Sequence, residues 1–311
     1  MQSKIFPPSL KKGDKIAVIS PAGSVLPEEL EKGLAILESN GYEAVLGKHL
    51  YGSHVHGYSY SGTEEARLSD LNWALNDPEI SAVWTSRGGY GCQHLVPGIN
   101  LEGFKKSPKW FVGYSDNTVI QSYLYRHGFA SIHGQTLKTA DFGVCTEGYA
   151  LTLNIMQGSV PKYVVNRHIL NRNGAASGHM IGGNLALIYA LLATPYSFVF
   201  KDAVLFIEEI GEKFYALDRM LMALELSGVF KHISGLILGG MTLMEDEAKN
   251  PEYNSSFDVF AYQLIAERIS NYDFPVMFGF PNGHIFDNRP LIIGANVQLN
   301  VGDERTLEFE H

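Results

Sequence analysis

Short apolar runs alternate with amphipathic segments in the first half of the chain. Four runs have the length and composition of strands: residues 15–20, 42–46, 81–86 and 110–114. Apolar side chains recur at helical spacing in residues 28–40, in the segment after Thr63 and in residues 117–127. Strands that alternate with helices indicate a mainly parallel sheet covered on both faces.

The pattern changes in the middle of the chain. Residues 157–178 are rich in Asn, Gly, Pro and basic residues without a clear period, which predicts a linker or hinge. Helices are then predicted at 185–193 and 215–226, and strands at 203–207, 236–238, 276–280 and 291–301. The predicted fold class is α/β, with an N-terminal parallel-sheet α/β domain at 1–160 and a strand-rich C-terminal α+β domain at 175–311.

The composition is that of a packed globule, with 45% apolar and 18% charged residues among 311. The net charge of −9 disfavours nucleic acids and anionic membranes as partners, and the basic stretch at 105–109 is interpreted as a solvated loop. The chain has no apolar run of the roughly 18 to 20 residues that a membrane span needs, and no secretory signal is apparent. Two cysteines, Cys92 and Cys145, are too few for a disulfide framework, so a cytoplasmic location is expected.

Ser115 is the first candidate for chemistry. The apolar run at 110–114 leads directly into it, and a predicted helix follows. A serine there lies at the carboxyl edge of a parallel sheet, beside helix amides that favour a developing negative charge. The pattern is similar to the G-x-S-x-G turn of hydrolases, although Asn117 stands in place of the last glycine. The alternative is that Ser115 only caps the helix.

A glycine-rich turn, RGGYG at 87–91, follows another predicted strand. It could present a backbone N–H to an oxyanion, cradle a phosphate, or be only a tight turn. The segment IEEIGE at 207–212 places three carboxylates after a strand, one of which could orient a histidine, although acidic loops are usually solvated.

The histidines are a weaker signal. His284 follows Gly283 in a predicted loop, where a histidine is either a base or an ordinary surface residue. His54 and His56 lack a neighbouring carboxylate or cysteine cluster, and Cys92 is interpreted as structural. No metal ion and no cofactor are therefore predicted.

Together these motifs resemble the LD-carboxypeptidase family, which also includes the microcin-immunity peptidases. The similar segments occur in the same order along nearly the whole chain, at residues 10–22, 87–91, 113–116, 133–134, 181–185, 208–209, 218–221 and 283–284. The chain departs from the family pattern at Glu209, because the usual acidic pair is Glu-Asp. It departs again at Gln135, where proline is common, so that loop is expected to differ in shape.

The resemblance implies a serine peptidase with a catalytic triad. The family's nucleophile corresponds to Ser115, its histidine to His284 and its orienting glutamate to Glu208. The backbone amides that bind the oxyanion correspond to Gly89 and Asp116. The nucleophile then belongs to the N-terminal domain, and the other two triad members belong to the C-terminal domain.

The resemblance also implies a substrate and a setting. The substrate would be a murein tetrapeptide, cut at the L,D-bond that releases terminal D-alanine during cytoplasmic cell-wall recycling, by a homodimer. One alternative is a microcin-immunity activity that cleaves a peptidyl aminoacyl nucleotide. Another is a non-catalytic module that holds a phosphate or nucleotide with residues 20–23 and 87–91.

Overall fold

The computed structural model describes residues 4–143, 145–244 and 256–310. These residues form two compact units. The first consists of residues up to 159 together with 289–291, and the second consists of 160–288 and the residues from 292 onward.

The strands are, in chain order, β1 (Lys15–Ile19), β2 (Glu43–Leu46), β3 (His54–Val55), β4 (Ser59–Tyr60), β5 (Ile80–Thr85), β6 (Trp110–Gly113), β7 (Ser131–His133), β8 (Lys162–Val164), β9 (Gly174–Asn184), β10 (Ala203–Ile210), β11 (Gly235–Thr242), β12 (Val276–Phe278), β13 (Leu291–Ile293), β14 (Asn296–Val301) and β15 (Arg305–Glu310).

The α-helices are α1 (Glu31–Ser39), α2 (Glu64–Asn76), α3 (Cys92–Leu95), α4 (Glu102–Lys106), α5 (Thr118–Arg126), α6 (Glu147–Met156), α7 (Leu185–Leu191), α8 (Phe214–Leu226), α9 (Val229–His232) and α10 (Val259–Arg268). Short 3₁₀ helices occupy Pro27–Glu29, Val96–Gly98, Ser115–Asn117 and Leu137–Phe142.

The sheet of the first unit has the strand order β13-β7-β6-β5-β1-β2, and the pairs from β2 through to β7 are parallel. Ile19 pairs with Thr85, and Trp84 pairs with Val112. The carboxyl ends of β1, β5 and β6 are therefore neighbours. The chain order reverses at β1 and β5, which is where open α/β sheets bind their ligands.

The sheet of the second unit has the order β12-β11-β10-β9-β14-β15-β8. Its first four strands are parallel and its last three join by antiparallel pairing. The parallel strand β10 is buried from Ala203 to Glu209, and its pairing with β11 shifts register between Ile207 and Glu209. The predicted fold class, a parallel α/β part followed by a strand-rich α+β part, is confirmed.

Several local predictions were wrong. The stretch at 157–178 contains β8, which spans only three residues, and the start of β9, where glycine and alanine give no hydrophobic alternation to detect. Residues 291–301 form two strands in different sheets, with Gly294 at φ +92° between them. Lys109 is 1% exposed rather than solvated, since its ammonium donates to the Asp77 carbonyl.

Within the described ranges, no helix has both the length and the apolar character needed to cross a membrane.

Gly33 tests how closely the first unit is packed. A Cβ atom on Gly33 would lie 2.5 Å from the carbonyl oxygen of Leu137, although alanine suits the interior of α1 better than glycine by about 1 kcal/mol. We expect Gly33→Ala to destabilise the protein by about 1–3 kcal/mol in urea unfolding, because the backbone contact cannot yield cheaply. The control, Glu38→Ala on the exposed face of α1, should stay within about 0.5 kcal/mol. A Gly33→Ala protein as stable as the wild type would contradict this packing.

Candidate active site

Ser115 begins a 3₁₀ turn and is separated from the buried strand β6 by Tyr114 alone. Its backbone lies in the left-handed region at φ +62°, which costs an L-residue roughly 1–2 kcal/mol. Its side chain is not an N-cap, since Tyr114 occupies that position and makes no side-chain capping bond. The helix-cap interpretation is therefore wrong. A strained residue at the carboxyl edge of a sheet is instead typical of a functional position.

Side-chain amides hold the backbone on both sides of Ser115. The Asn117 side chain donates to the Tyr114 carbonyl at 3.0 Å, and Gln121 donates to the Gly113 carbonyl at 3.0 Å. A Cβ atom on Gly113 would lie 2.6 Å from Oγ1 of Thr85, so only glycine fits there. Asn117, which replaces the last glycine of the hydrolase pattern, thus has a structural role of its own.

The glycine-rich turn after β5 packs on the serine. A Cβ atom on Gly88 would lie 2.8 Å from Cβ and 3.0 Å from Oγ of Ser115. Gly89 has φ +121° and is exposed, and the Tyr58 hydroxyl closes the space that a side chain at Gly89 would need. Within the described residues the Gly89 amide donates no hydrogen bond. This turn can therefore present an amide beside the serine.

Two buried ionic side chains fix the turn in place. Arg67, 2% exposed, donates to the carbonyls of Pro21 and Gly91 at 2.7 and 3.0 Å. Asp116, 1% exposed, accepts a 2.8 Å hydrogen bond from the amide of Cys92. Burial raises the pKa of Asp116 to about 6, although the hydrogen bond from Cys92 and the charge of Arg67 act against that rise. Cys92 is itself fully buried, which agrees with a structural role.

In the second unit the structure brings Glu208 and His284 together. Oε2 of Glu208 lies 2.7 Å from Nδ1 of His284, and the carboxylate is fully buried while the imidazole is 15% exposed. Gly283, at φ +116°, permits this approach, because a Cβ atom there would lie 2.9 Å from both Cβ and Oε2 of Glu208. Asn288 fixes the loop by donating to the Gly283 carbonyl at 2.7 Å.

Glu209 points to different partners. Its carboxylate accepts hydrogen bonds from the Asn184 side chain at 2.8 Å and from the amides of Ala186 and Ile210 at 2.7 and 2.8 Å. Burial first, and then the neighbouring charge of Glu208, raises the pKa of Glu209 to about 7. The expectation of a solvated acidic loop was wrong, because both glutamates lie inside β10.

The pKa of His284 reflects two opposing influences. Burial by itself would lower this pKa, but the charge and hydrogen bond of Glu208, together with the charge of Glu209, raise it above the ordinary histidine value. The carboxylate therefore stabilises the imidazolium, as the orienting acid of a catalytic triad does.

The sequence did not single out Arg67 or Tyr58. Arg67 does carry a signal, since it precedes Leu71 and Leu75 by one and two helical turns and so lies on the apolar face of α2.

His54 and His56 lie on or next to the short strand β3. In the described ranges, no group of three or more His, Cys, Asp or Glu side chains is arranged to hold a metal ion.

Two profiles of one known protein family match this chain. The family profile described as LD-carboxypeptidase N-terminal domain matches residues 16–134, and the profile described as LD-carboxypeptidase C-terminal domain matches residues 177–299.

Individual proteins agree with the profiles. The probable murein peptide carboxypeptidase of Bacillus subtilis (strain 168) is 31% identical over 305 residues, covering 96% of this chain and 92% of that protein. The crystal structure of muramoyltetrapeptide carboxypeptidase from Oxalobacter formigenes is 26% identical with a TM-score of 0.81, covering 96% of this chain and 99% of that one. The microcin C7 self immunity protein, in an inactive mutant apo state, has a TM-score of 0.85 at 21% identity, covering 98% of each chain. At that identity the likeness shows the fold alone.

The backbone of Ser115 provides a test that is independent of activity. We expect Ser115→Gly to be more stable than Ser115→Ala by about 1 kcal/mol, because glycine adopts φ +62° without the left-handed penalty. Both variants lack the hydroxyl, so urea unfolding of the pair isolates the backbone contribution. An alanine variant that is equally or more stable would show that Ser115 is not strained.

Proposed function

This chain belongs to the LD-carboxypeptidase family, and on that premise we propose that it hydrolyses the L,D-peptide bond that releases terminal D-alanine from murein tetrapeptides. The observation that carries the proposal is the buried 2.7 Å contact between Glu208 and Nδ1 of His284. A carboxylate bound to Nδ1 sets the imidazole tautomer in which Nε2 takes up a proton.

Each member of the proposed triad has one task. A serine hydroxyl is a weak nucleophile until a base removes its proton, and His284 is that base for Ser115. The imidazolium then protonates the amine of the departing D-alanine. Glu208 orients the ring and stabilises its charged form. We assign Ser115 to an N-terminal domain at 1–160, and Glu208 and His284 to a C-terminal domain at 175–311.

Two backbone amides complete the proposed chemistry. The amides of Gly89 and Asp116 bind the oxyanion of the tetrahedral intermediate, and each donor is worth about 3 kcal/mol by analogy with measured cases. The contact between Gly88 and Ser115 supports this assignment, since it fixes the turn beside the nucleophile. The mechanism uses no metal ion and no cofactor.

The cellular setting is proposed from the family resemblance. We place the enzyme in the cytoplasm, in peptidoglycan recycling, and as a homodimer. Its substrate is a murein peptide, and neither nucleic acid nor membrane is a partner.

The triad is tested by D-alanine release from murein tetrapeptide. Ser115→Ala and His284→Ala should each lower kcat by about 10⁴-fold or more, because the parts of a triad act as a unit. Glu208→Gln should cost as much or less, since an amide still contacts the ring but no longer stabilises its cation. A microcin-type aminoacyl nucleotide offered in parallel identifies the alternative substrate, and a serine-directed phosphonate that fails to label the protein would favour a non-catalytic module.

Glu209→Gln is the matched control for Glu208→Gln. Glu209 contacts Asn184, Ala186 and Ile210 rather than the histidine, so its variant should retain most activity, with circular dichroism used to verify folding. Near-wild-type turnover by folded Ser115→Ala would overturn the whole assignment. An active Glu208→Gln with an inactive, folded Glu209→Gln would reverse only the choice of acid.

The pH dependence of kcat/KM provides a separate test. His284 acts as a base only when neutral, and its raised pKa keeps it protonated to higher pH. The acidic limb of the profile should therefore lie above pH 6.5, the ordinary histidine pKa. Glu208→Gln should move this limb to lower pH as well as lower the plateau, whereas Glu209→Gln should move it less. A limb that stays in place in Glu208→Gln would show that another group controls it.

A further inference from the structure

Arg87 lies next to the residues that touch the proposed nucleophile. It immediately precedes Gly88, which packs on Ser115. Its guanidinium covers Gly23, where a Cβ atom would lie 3.0 Å from Nε and 3.2 Å from Cζ of Arg87. The amide of Gly23 in turn donates to the Gly88 carbonyl at 3.2 Å. The guanidinium, Gly23, Gly88 and Ser115 therefore form one continuous set of contacts.

The Arg87 side chain is held in place but keeps donors available. One terminal nitrogen donates to the Ser24 carbonyl at 2.8 Å, and the residue is only half-buried. Among the described residues this is the one hydrogen bond of its side chain, and no carboxylate forms an ion pair with it. A guanidinium has five N–H donors arranged as a rigid fork that fits a carboxylate.

Arg87 shares a nearby acid with another cation. Glu29 is the nearby acid, and its carboxylate is ion-paired with Lys138, whose side chain is 11% exposed. Burial would raise the pKa of Glu29, but the hydrogen bonds from Lys138 and the Leu26 amide and the charges of Lys138 and Arg87 lower it. The carboxylate of Glu29 thus lies near both Lys138 and Arg87, but it forms its ion pair with Lys138.

Arg67, a further cation of this region, is not available to a ligand. Arg67 is 2% exposed, and its donors are directed at the carbonyls of Gly62, Pro21 and Gly91. Arg87 is thus the cation beside the serine turn that is both accessible and without a carboxylate partner among the described residues.

We propose that Arg87 binds the α-carboxylate of the terminal residue of the substrate and thereby makes the enzyme an exopeptidase. The inference rests on the proposed function. In a peptide whose last bond is cut, the free carboxylate lies three bonds, about 4 Å, beyond the carbonyl carbon that the serine attacks. Arg87, which reaches the serine turn through Gly23 and Gly88, is the cation that we assign to recognise it. A peptide extended by one residue has an amide there instead, and leaves the guanidinium without its anion.

The experiment compares murein tetrapeptide with its C-terminal D-alaninamide analogue, in the wild type, Arg87→Gln and Arg87→Lys. Wild-type enzyme should prefer the acid. Arg87→Gln should lower kcat/KM for the acid by about 10- to 100-fold, the range of a lost charge-assisted contact, and lower that for the amide by no more than about 3-fold. Arg87→Lys should restore part of the acid preference, because the charge returns without the bidentate fork.

Two further variants separate recognition from general electrostatics. Glu29→Gln removes the acid that competes for the cations, and should increase the ratio of acid to amide turnover. Lys12→Gln removes an equal positive charge from an exposed position before β1, at the opposite end of the sheet, and should leave that ratio unchanged.

The outcomes are distinct. Absence of D-alanine release by the wild type overturns the proposed function, and this inference with it. A second outcome is an active wild type together with an Arg87→Gln change that lowers kcat/KM equally for the tetrapeptide and its amide analogue, or for neither. In that case the assignment of Arg87 is wrong and the proposed function stands. A fall in kcat/KM that is confined to the tetrapeptide with a free carboxylate, and that Arg87→Lys partly reverses, supports the role of Arg87.

Discussion

Ser115 must be kept in a left-handed backbone conformation at the end of a buried strand, and much of the surrounding structure serves that requirement. A glycine at this position would adopt the conformation without strain, but the chain has a serine there and so keeps a hydroxyl. Gly113 and Gly88 instead remove side chains on either side, and Asn117 and Gln121 bind the carbonyls that flank the turn. The cost of roughly 1–2 kcal/mol is therefore offset by contacts that also define the direction of the hydroxyl.

Buried charged side chains hold the neighbouring loops in place through hydrogen bonds to the backbone. Arg67 ties together the turns after β1 and β5, and Asp116 ties the start of α3 to the serine turn. In the second unit, Glu209 fixes the start of α7 while its neighbour Glu208 contacts the histidine. A buried carboxylate is costly unless it is hydrogen-bonded, and Asp116 and Glu209 each accept backbone amides. Their raised pKa values show that part of this cost remains.

The charge distribution suits a small anionic ligand better than a large one. A net charge of −9 repels extended polyanions, whereas the half-buried guanidinium of Arg87 attracts an anion over a few ångströms. Under the proposal, selectivity for a peptide terminus arises from one accessible guanidinium near the proposed nucleophile, in a protein whose net charge is negative.

The sequence alone determined the alternation of strands and helices, the position of Ser115 between β6 and a helix, and the family, because periodicity and local motifs are written in consecutive residues. It did not reveal β8, which spans only three residues, or the start of β9, where glycine and alanine give no pattern. Antiparallel partners decide the conformation of both segments. The family resemblance assigned the orienting role to Glu208, but no local pattern distinguishes Glu208 from Glu209. Adjacent residues of a strand face opposite ways, and only the packing of the Gly283 loop on β10 determined which carboxylate meets the histidine. Glu208 and His284 are 76 residues apart in the chain, and no local sequence pattern can predict a contact over that separation.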